Sequence, residues 1–187
     1  MGKKILYLLL SIIAVMLLVS CDLLDDDDDD TGTSNTGAGE IASEQPSEVR
    51  LSAFSDFSCT SNWTERDGAL GLKAHTGSGT CQASFPGVSS MYKVRINVQA
   101  ERDGASPYTL SINGKTVASG NYPYATGRLA CDCSIEKCPD RNTFVNIGTL
   151  KVNKGDTIKY WGDQVSPCGD DHGAYAKWHK MIFTPVD

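Results

Sequence analysis

No stretch of this 187-residue chain is apolar for long enough to cross a bilayer as a helix. The longest run, residues 5–19, offers about fifteen residues where a spanning helix needs roughly 20. Basic charge is scarce as well. The whole chain carries −6, and from residue 48 onward 15 Lys and Arg meet 14 Asp and Glu. That near-neutral part has no basic patch of the kind a nucleic-acid binder needs, so no nucleic-acid partner is expected. Histidine is limited to His75, His172 and His179. No G-x-S-x-G elbow and no H-E-x-x-H pair occurs, so the usual signatures of an activated nucleophile or a zinc hydrolase are missing. A helical period is missing too. These absences point to a protein without catalytic activity or cofactor, built from strands.

What is present begins with the apolar run itself. Lys3 and Lys4 precede it, and its length suits the apolar region of a secretory signal. It ends in Leu18-Val19-Ser20-Cys21, which resembles the lipobox of bacterial lipoproteins. The resemblance implies a signal peptide over residues 1–20 and lipidation of Cys21, with palmitate among the acyl chains. Each buried CH₂ contributes roughly 0.8 kcal/mol and two or more chains anchor stably, so Cys21 would hold the chain on a membrane without a spanning helix.

Six consecutive aspartates, residues 25–30, then repel one another and stay extended and hydrated. A stretch rich in Gly, Ser, Thr and Ala continues to residue 47, as in flexible linkers. Residues 21–47 therefore read as a spacer that lifts a domain off a bacterial cell envelope. Asp22, directly after Cys21, resembles an inner-membrane retention signal of enteric bacteria. An acidic run near the cysteine resembles a surface-export signal of Bacteroidetes. Inner membrane, outer membrane and cell surface all remain open.

Residues 48–187 have the size of one ordinary domain and show strand alternation. In "YKVRINVQ", Tyr92, Val94, Ile96 and Val98 share one face, with Lys93, Arg95, Asn97 and Gln99 on the other. "YTLSIN" repeats the pattern with Tyr108, Leu110 and Ile112, and Asn113-Gly114 then gives a strong hairpin signal. "VRLSAF", "ALGLKAH", "TCQASF", "KTVAS", "TFVNIGTLKV", "TIKYW" and "AYAKWHKMIF" complete eight or nine short strands. Such a series predicts an all-β domain, a single β-sandwich or jelly roll. The strand ending in "NG", the "VNKGDTIKYW" hairpin and the aromatic-rich last strand resemble the jelly-roll modules of the galactose-binding-like superfold. Many bacterial carbohydrate-binding modules belong there, but no family-defining binding motif is present.

Six cysteines remain besides Cys21, an even number in an exported domain, which predicts disulfides. Cys59 and Cys81 lie apart from the others beside early strands and are expected to pair. Cys131, Cys133 and Cys138 share one long loop, and Cys168 sits in another. A bridge from Cys168 to Cys131 or Cys133 would tie the loops together and leave the remaining cysteine for Cys138. The alternative is zinc bound by these sulfurs and His172, although C-x-C-x₄-C is not the usual knuckle spacing.

If every strand reverses direction, the turns at residues 113–114 and 153–156 lie at one end of the sandwich. The loops 121–142 and 162–173 then share the other end. A sugar ring presents an apolar CH face that stacks on a flat aromatic surface, while polar groups fix its hydroxyls. In "TIKYW", Ile158 and Tyr160 share a face, so Trp161 points away from the core. Trp161, Tyr122 and Tyr124 are the expected stacking residues, and Arg128, Asp163, Asp171 and His172 the expected hydrogen-bonding ones. Trp178 is expected in the core, with Tyr175 and Lys177 facing outward; Tyr122 and Tyr124 have the alternative of capping the core. Adjacent Asp170 and Asp171 make a poor acid–base pair, and a polar turn is the simpler reading. The expected function is a lipid-anchored envelope protein that binds a polysaccharide or oligosaccharide without catalysis. Its alternative is a structural lipoprotein that uses the same loops against an envelope protein partner.

Overall fold

The computed structural model describes residues 44–125, 138–169 and 172–186. The expected signal peptide, Cys21 and nearly all of the spacer lie outside them, as do Arg128, Cys131, Cys133 and Asp171. Among the described residues there are eleven strands and no helix: β1 (Val49–Ser52), β2 (Ser58–Cys59), β3 (Trp63–Arg66), β4 (Ala69–Leu72), β5 (Gly79–Ser84), β6 (Ser90–Ala100), β7 (Pro107–Ile112), β8 (Lys115–Asn121), β9 (Arg141–Val152), β10 (Thr157–Gly162) and β11 (Trp178–Pro185). This is the all-β sandwich that the alternation predicts, with some strands shorter and more numerous than expected.

All named pairings are antiparallel. One sheet runs β3-β4-β11-β6-β9, with β1 also paired to β11; the other runs β2-β5-β10-β7-β8. Their inner faces carry the apolar half of each alternating strand. Tyr92, Val94, Ile96 and Val98 of β6 are buried, as are Tyr108, Leu110 and Ile112 of β7, and Ile158 and Tyr160 of β10. Trp178 is wholly enclosed, with its ring 4.6 Å from the Tyr160 ring and 4.9 Å from that of Phe57. Aromatic pairs of this kind add about 0.5–1.5 kcal/mol each beyond the area they bury.

The two tight turns meet at one end, as the strand-reversal argument requires. Asn113 and Gly114 both have positive φ, 50° and 79°, as a type I′ hairpin turn demands. The Asn113 side chain donates to Asp156 at 2.8 Å and accepts from the Thr157 N–H at 2.8 Å, which fastens this turn to the one before β10.

The last strand departs from expectation. Tyr175 and Lys177, placed outward by alternation, are both buried, and β11 begins only at Trp178. The cause is Ala176, whose left-handed φ of 51° breaks the period. A bulge between Trp178 and Lys180 then resets the register against β6. Trp63 opens β3 and is buried.

Cys59 and Cys81 face each other across β2 and β5 and form the expected disulfide. Their sequence separation is 22, so the bond removes chain entropy from the unfolded state worth about 3 kcal/mol. Cys138 and Cys168 are each disulfide-bonded as well, which removes their sulfurs from the zinc alternative. Their expected partners, Cys131 and Cys133, lie outside the described residues. Replacing Cys59 and Cys81 together by alanine should lower the unfolding free energy by about 2–4 kcal/mol while strand content is kept. Urea titration followed by far-ultraviolet circular dichroism measures both.

Candidate functional site

Two regions compete for this role: the loop end that the sequence singles out, and the outer face of the β2-β5-β10-β7-β8 sheet.

The two loops do share one end, joined by the segment between β6 and β7. The Tyr122 N–H donates to the Ser106 carbonyl at 2.9 Å, and the Ala125 N–H to the Glu101 carbonyl at 3.2 Å. On the other side the Asp163 N–H donates to the Pro107 carbonyl at 3.1 Å. Val165 and Ala174 exchange two backbone bonds, which closes the second loop on itself.

The individual residues divide. Tyr122 is only 3% exposed, and its hydroxyl is hydrogen-bonded to that of Tyr160 inside the core. It caps the core and offers no surface to a ligand, which corrects its expected role as a stacking residue. Burial pushes both phenols well above their ordinary range, so neither titrates near neutrality. Tyr124 is half-buried, and His172 is exposed in a turn, where its N–H donates to the Gly169 carbonyl at 3.1 Å. Asp163 is half-buried and accepts from the Gln164 N–H at 2.9 Å.

The same end contains a polar cluster that alternation did not reveal. Lys177 is 3% exposed, and its ammonium lies 2.8 Å from Asp67, 3.0 Å from Glu101 and 3.3 Å from Asp140. Glu101 follows β6, Asp140 precedes β9 and Lys177 precedes β11, so the cluster spans neighbouring strands; Asp67 reaches in from the turn between β3 and β4. Glu101 also accepts the Tyr175 N–H at 2.7 Å, and Ser106 accepts the Ala176 N–H at 2.8 Å. Those side chains satisfy a backbone segment that is buried yet belongs to no strand. Gly162 makes room for it, because a Cβ there would lie 2.9 Å from that of Ala176. The Arg66 guanidinium sits 3.7 Å from the centre of the Tyr175 ring and covers the outer side.

Burial pushes the Glu101 carboxyl up to about 7, although the Lys177 charge and the Tyr175 N–H pull the other way. Burial alone would lower Lys177, but the carboxylates around it outweigh that and raise it. These groups bind one another and so tie together the strand ends from which they come.

The outer sheet face is different. Core-facing positions alternate with Thr80, Gln82 and Ser84 on β5, Thr157, Lys159 and Trp161 on β10, and Thr109 and Ser111 on β7. Register aligns Thr80, Trp161 and Thr109 in one row and Gln82, Lys159 and Ser111 in the next. Directly opposite side chains lie about 4.5–5.5 Å apart at Cβ, so hydroxyls flank the Trp161 ring on both sides. Trp161 is half-buried and lines an open hollow of about 370 Å³ with Thr80, Thr109, Ser111, Gly114 and Lys159. Thr80 also lines a second hollow of about 580 Å³, bordered by Ser58, Gln82 and Ser84. Trp161 therefore lies on the outer sheet face near the loop-side end of β10, with Asp163 two residues further along the chain. The outward Ser and Thr of "TCQAS", "YTLSI" and "TIKYW" are the polar half of the pattern that predicts the strands, and they were legible there.

No family model matches this chain, and no curated protein matches it. Several solved structures are similar to it. One is a family 35 carbohydrate-binding module from Clostridium thermocellum, 16% identical, with a TM-score of 0.45 over 74% of this chain and 98% of that one. Another is a CBM35 from Paenibacillus barcinonensis, 10% identical, with a TM-score of 0.48 over 74% and 99%. A third is the insecticidal crystal protein Cry2Aa, 15% identical, with a TM-score of 0.49 over 74% of this chain and 21% of that one. At this distance the likenesses carry no argument about what this chain binds.

The cluster around Lys177 has a pH signature. Glu101 holds its proton more tightly in the folded state, near 7, than in the unfolded state, near 4.5. Its contribution is therefore fully present below about pH 4.5 and is lost as the pH rises through about 7. Unfolding free energy should fall by about 2–3 kcal/mol between pH 5 and pH 8, and Glu101→Gln should flatten that slope. Urea unfolding at a series of pH values measures it. In the acid limb below pH 4 the sign reverses, because the Lys177 hydrogen bond holds Asp67 below the usual carboxylate range.

Proposed function

We propose that this chain is a non-catalytic carbohydrate-binding protein of a bacterial cell envelope, tethered by lipid on Cys21, whose ligand lies on the outer sheet face and stacks on Trp161. The observation that carries this reading is the Trp161 ring, held partly exposed in a row of hydroxyl-bearing side chains above a hollow. A large indole left on a flat, otherwise polar surface has an unmet apolar face. The CH side of a pyranose covers such a face, while Thr80, Thr109 and Ser111 exchange hydrogen bonds with its hydroxyls. β10 sits between β5 and β7, so the platform is fixed by a rigid scaffold and little order has to be imposed on binding. Tyr124, Asp163 and His172, with Arg128 and Asp171 of the same loops, form the loop-end alternative.

A change in tryptophan emission on binding reports on the site, because Trp63 and Trp178 are buried and a ligand on the sheet face meets Trp161 alone of the three. Titrating the full chain in detergent with a panel of polysaccharides should change that emission for one class of polymer. Measured by isothermal titration calorimetry, which does not depend on the indole, Trp161→Ala should weaken binding at least about thirty-fold, the equivalent of about 2 kcal/mol for a central aromatic contact. The double variant Tyr124→Ala, His172→Ala should bind as the wild type does. Undiminished binding by Trp161→Ala would remove the sheet-face site, and loss in the double variant would move it to the loop end.

A further inference from the structure

We infer that the Trp161 face takes an acidic polysaccharide, a polymer bearing carboxylate or sulfate-ester groups, with Lys159 receiving the anion; this deepens the carbohydrate reading above and rests on it.

Lys159 is exposed on the same face as Trp161, two residues away along β10, about 7 Å at the usual rise per residue. Its direct neighbours across the sheet are Gln82 and Ser111, both uncharged. Among the described residues no carboxylate forms an ion pair with it. Asp56, in the second hollow, is the one acid lining either hollow, and it is engaged. Its Oδ2 accepts the Ser52 N–H at 2.6 Å and its Oδ1 the Ser55 hydroxyl at 3.3 Å. The hollow that Trp161 lines therefore carries one ammonium and no carboxylate, with Asp163 lying beyond it past the end of β10.

That charge discriminates between ligands. A neutral sugar stacked on Trp161 would displace water from the ammonium and return only hydroxyl contacts, so part of its binding would be spent on desolvation. A carboxylate or sulfate on the stacked ring, or on the next ring of the chain, replaces that water with a charge-assisted hydrogen bond.

The dimensions favour a polymer over a single sugar. The two hollows meet at Thr80, and together they cross the face from β7 through β10 and β5 to β2. Three strand spacings make about 14 Å, longer than one pyranose ring. The hydroxyls and the Gln82 amide along this track are donors and acceptors without charge, suited to the neutral hydroxyls between successive anionic groups.

The test uses the full chain in detergent and three kinds of polymer: a polyuronate, a sulfated galactan free of uronate, and a neutral galactan. At least one acidic polymer should bind ten-fold or more tightly than the neutral one, and which of the two does so tells carboxylate from sulfate. Lys159→Gln should weaken that binding about ten-fold and flatten its salt dependence, and Lys159→Arg should retain it. Equal affinity for acidic and neutral polymers, or no effect of Lys159→Gln where Trp161→Ala abolishes binding, overturns the acidic assignment and leaves the Trp161 platform standing. Absence of binding to every polymer, or binding indifferent to Trp161→Ala, overturns both.

Discussion

A lysine ammonium with almost no access to water sets the terms for much of this structure. A buried charge is tolerated only when it is paired and hydrogen-bonded, and Lys177 meets that condition by drawing Glu101, Asp140 and Asp67 to one point. Those acids come from the end of β6, the start of β9 and the turn between β3 and β4, so the ends of several strands are fixed together. The backbone of Tyr175 and Ala176 runs beside them on bonds to Glu101 and Ser106. Trp178 then enters the core directly after the lysine and packs on Tyr160 of the opposite sheet. With Tyr160 turned inward by that contact, its neighbour Trp161 has only the outside to face. The route from a buried ion cluster to a half-buried indole runs through one ring contact, Trp178 on Tyr160, and two pairs of chain neighbours.

The two faces of the second sheet follow from one repeating pattern put to different uses. Its apolar half builds the core and its polar half builds a plane of hydroxyls around Trp161. The outer face of the other sheet is unlike it: Lys93, Arg95 and Asn97 alternate along β6, with Phe144 of neighbouring β9 lying 4.5 Å beneath the Arg95 guanidinium. There the exposed aromatic already has a cation over it, whereas the Trp161 ring has no comparable cover among the described contacts.

Much of the scaffold was legible in the chain because its signals are local. The alternation of Tyr92, Val94, Ile96 and Val98, the Asn113-Gly114 turn and the isolation of Cys59 and Cys81 each depend on a few neighbouring residues, and each is found as read. The outward direction of Trp161 was legible for the same reason. What failed depended on a partner distant in sequence or on a single unusual backbone angle. Tyr175 and Lys177 go inward because Ala176 adopts a left-handed conformation, which nothing about an alanine announces. Tyr122 is drawn into the core by a hydroxyl 38 residues away, on Tyr160. The described parts of the two loops lie at one end as read, but Tyr122, chosen from them as a stacking residue, is buried in the core.

The clip between Cys59 and Cys81 has a mechanical consequence. Were the proposed lipid tether at Cys21 and the proposed polymer on the sheet face both in place, flow or movement would pull the two apart. The load would enter the domain through β1, whose antiparallel bonds to β11 are the first to feel it. A few residues further on, the chain reaches Cys59, and the disulfide passes the force straight to β5, the neighbour of the strand that carries Trp161. Tension would therefore travel from tether to ligand across one covalent bond and one strand pairing, and most of the sandwich would lie outside the line of pull. A reducing environment would remove that shortcut and turn the same fold into a weaker link in the chain between cell and polymer.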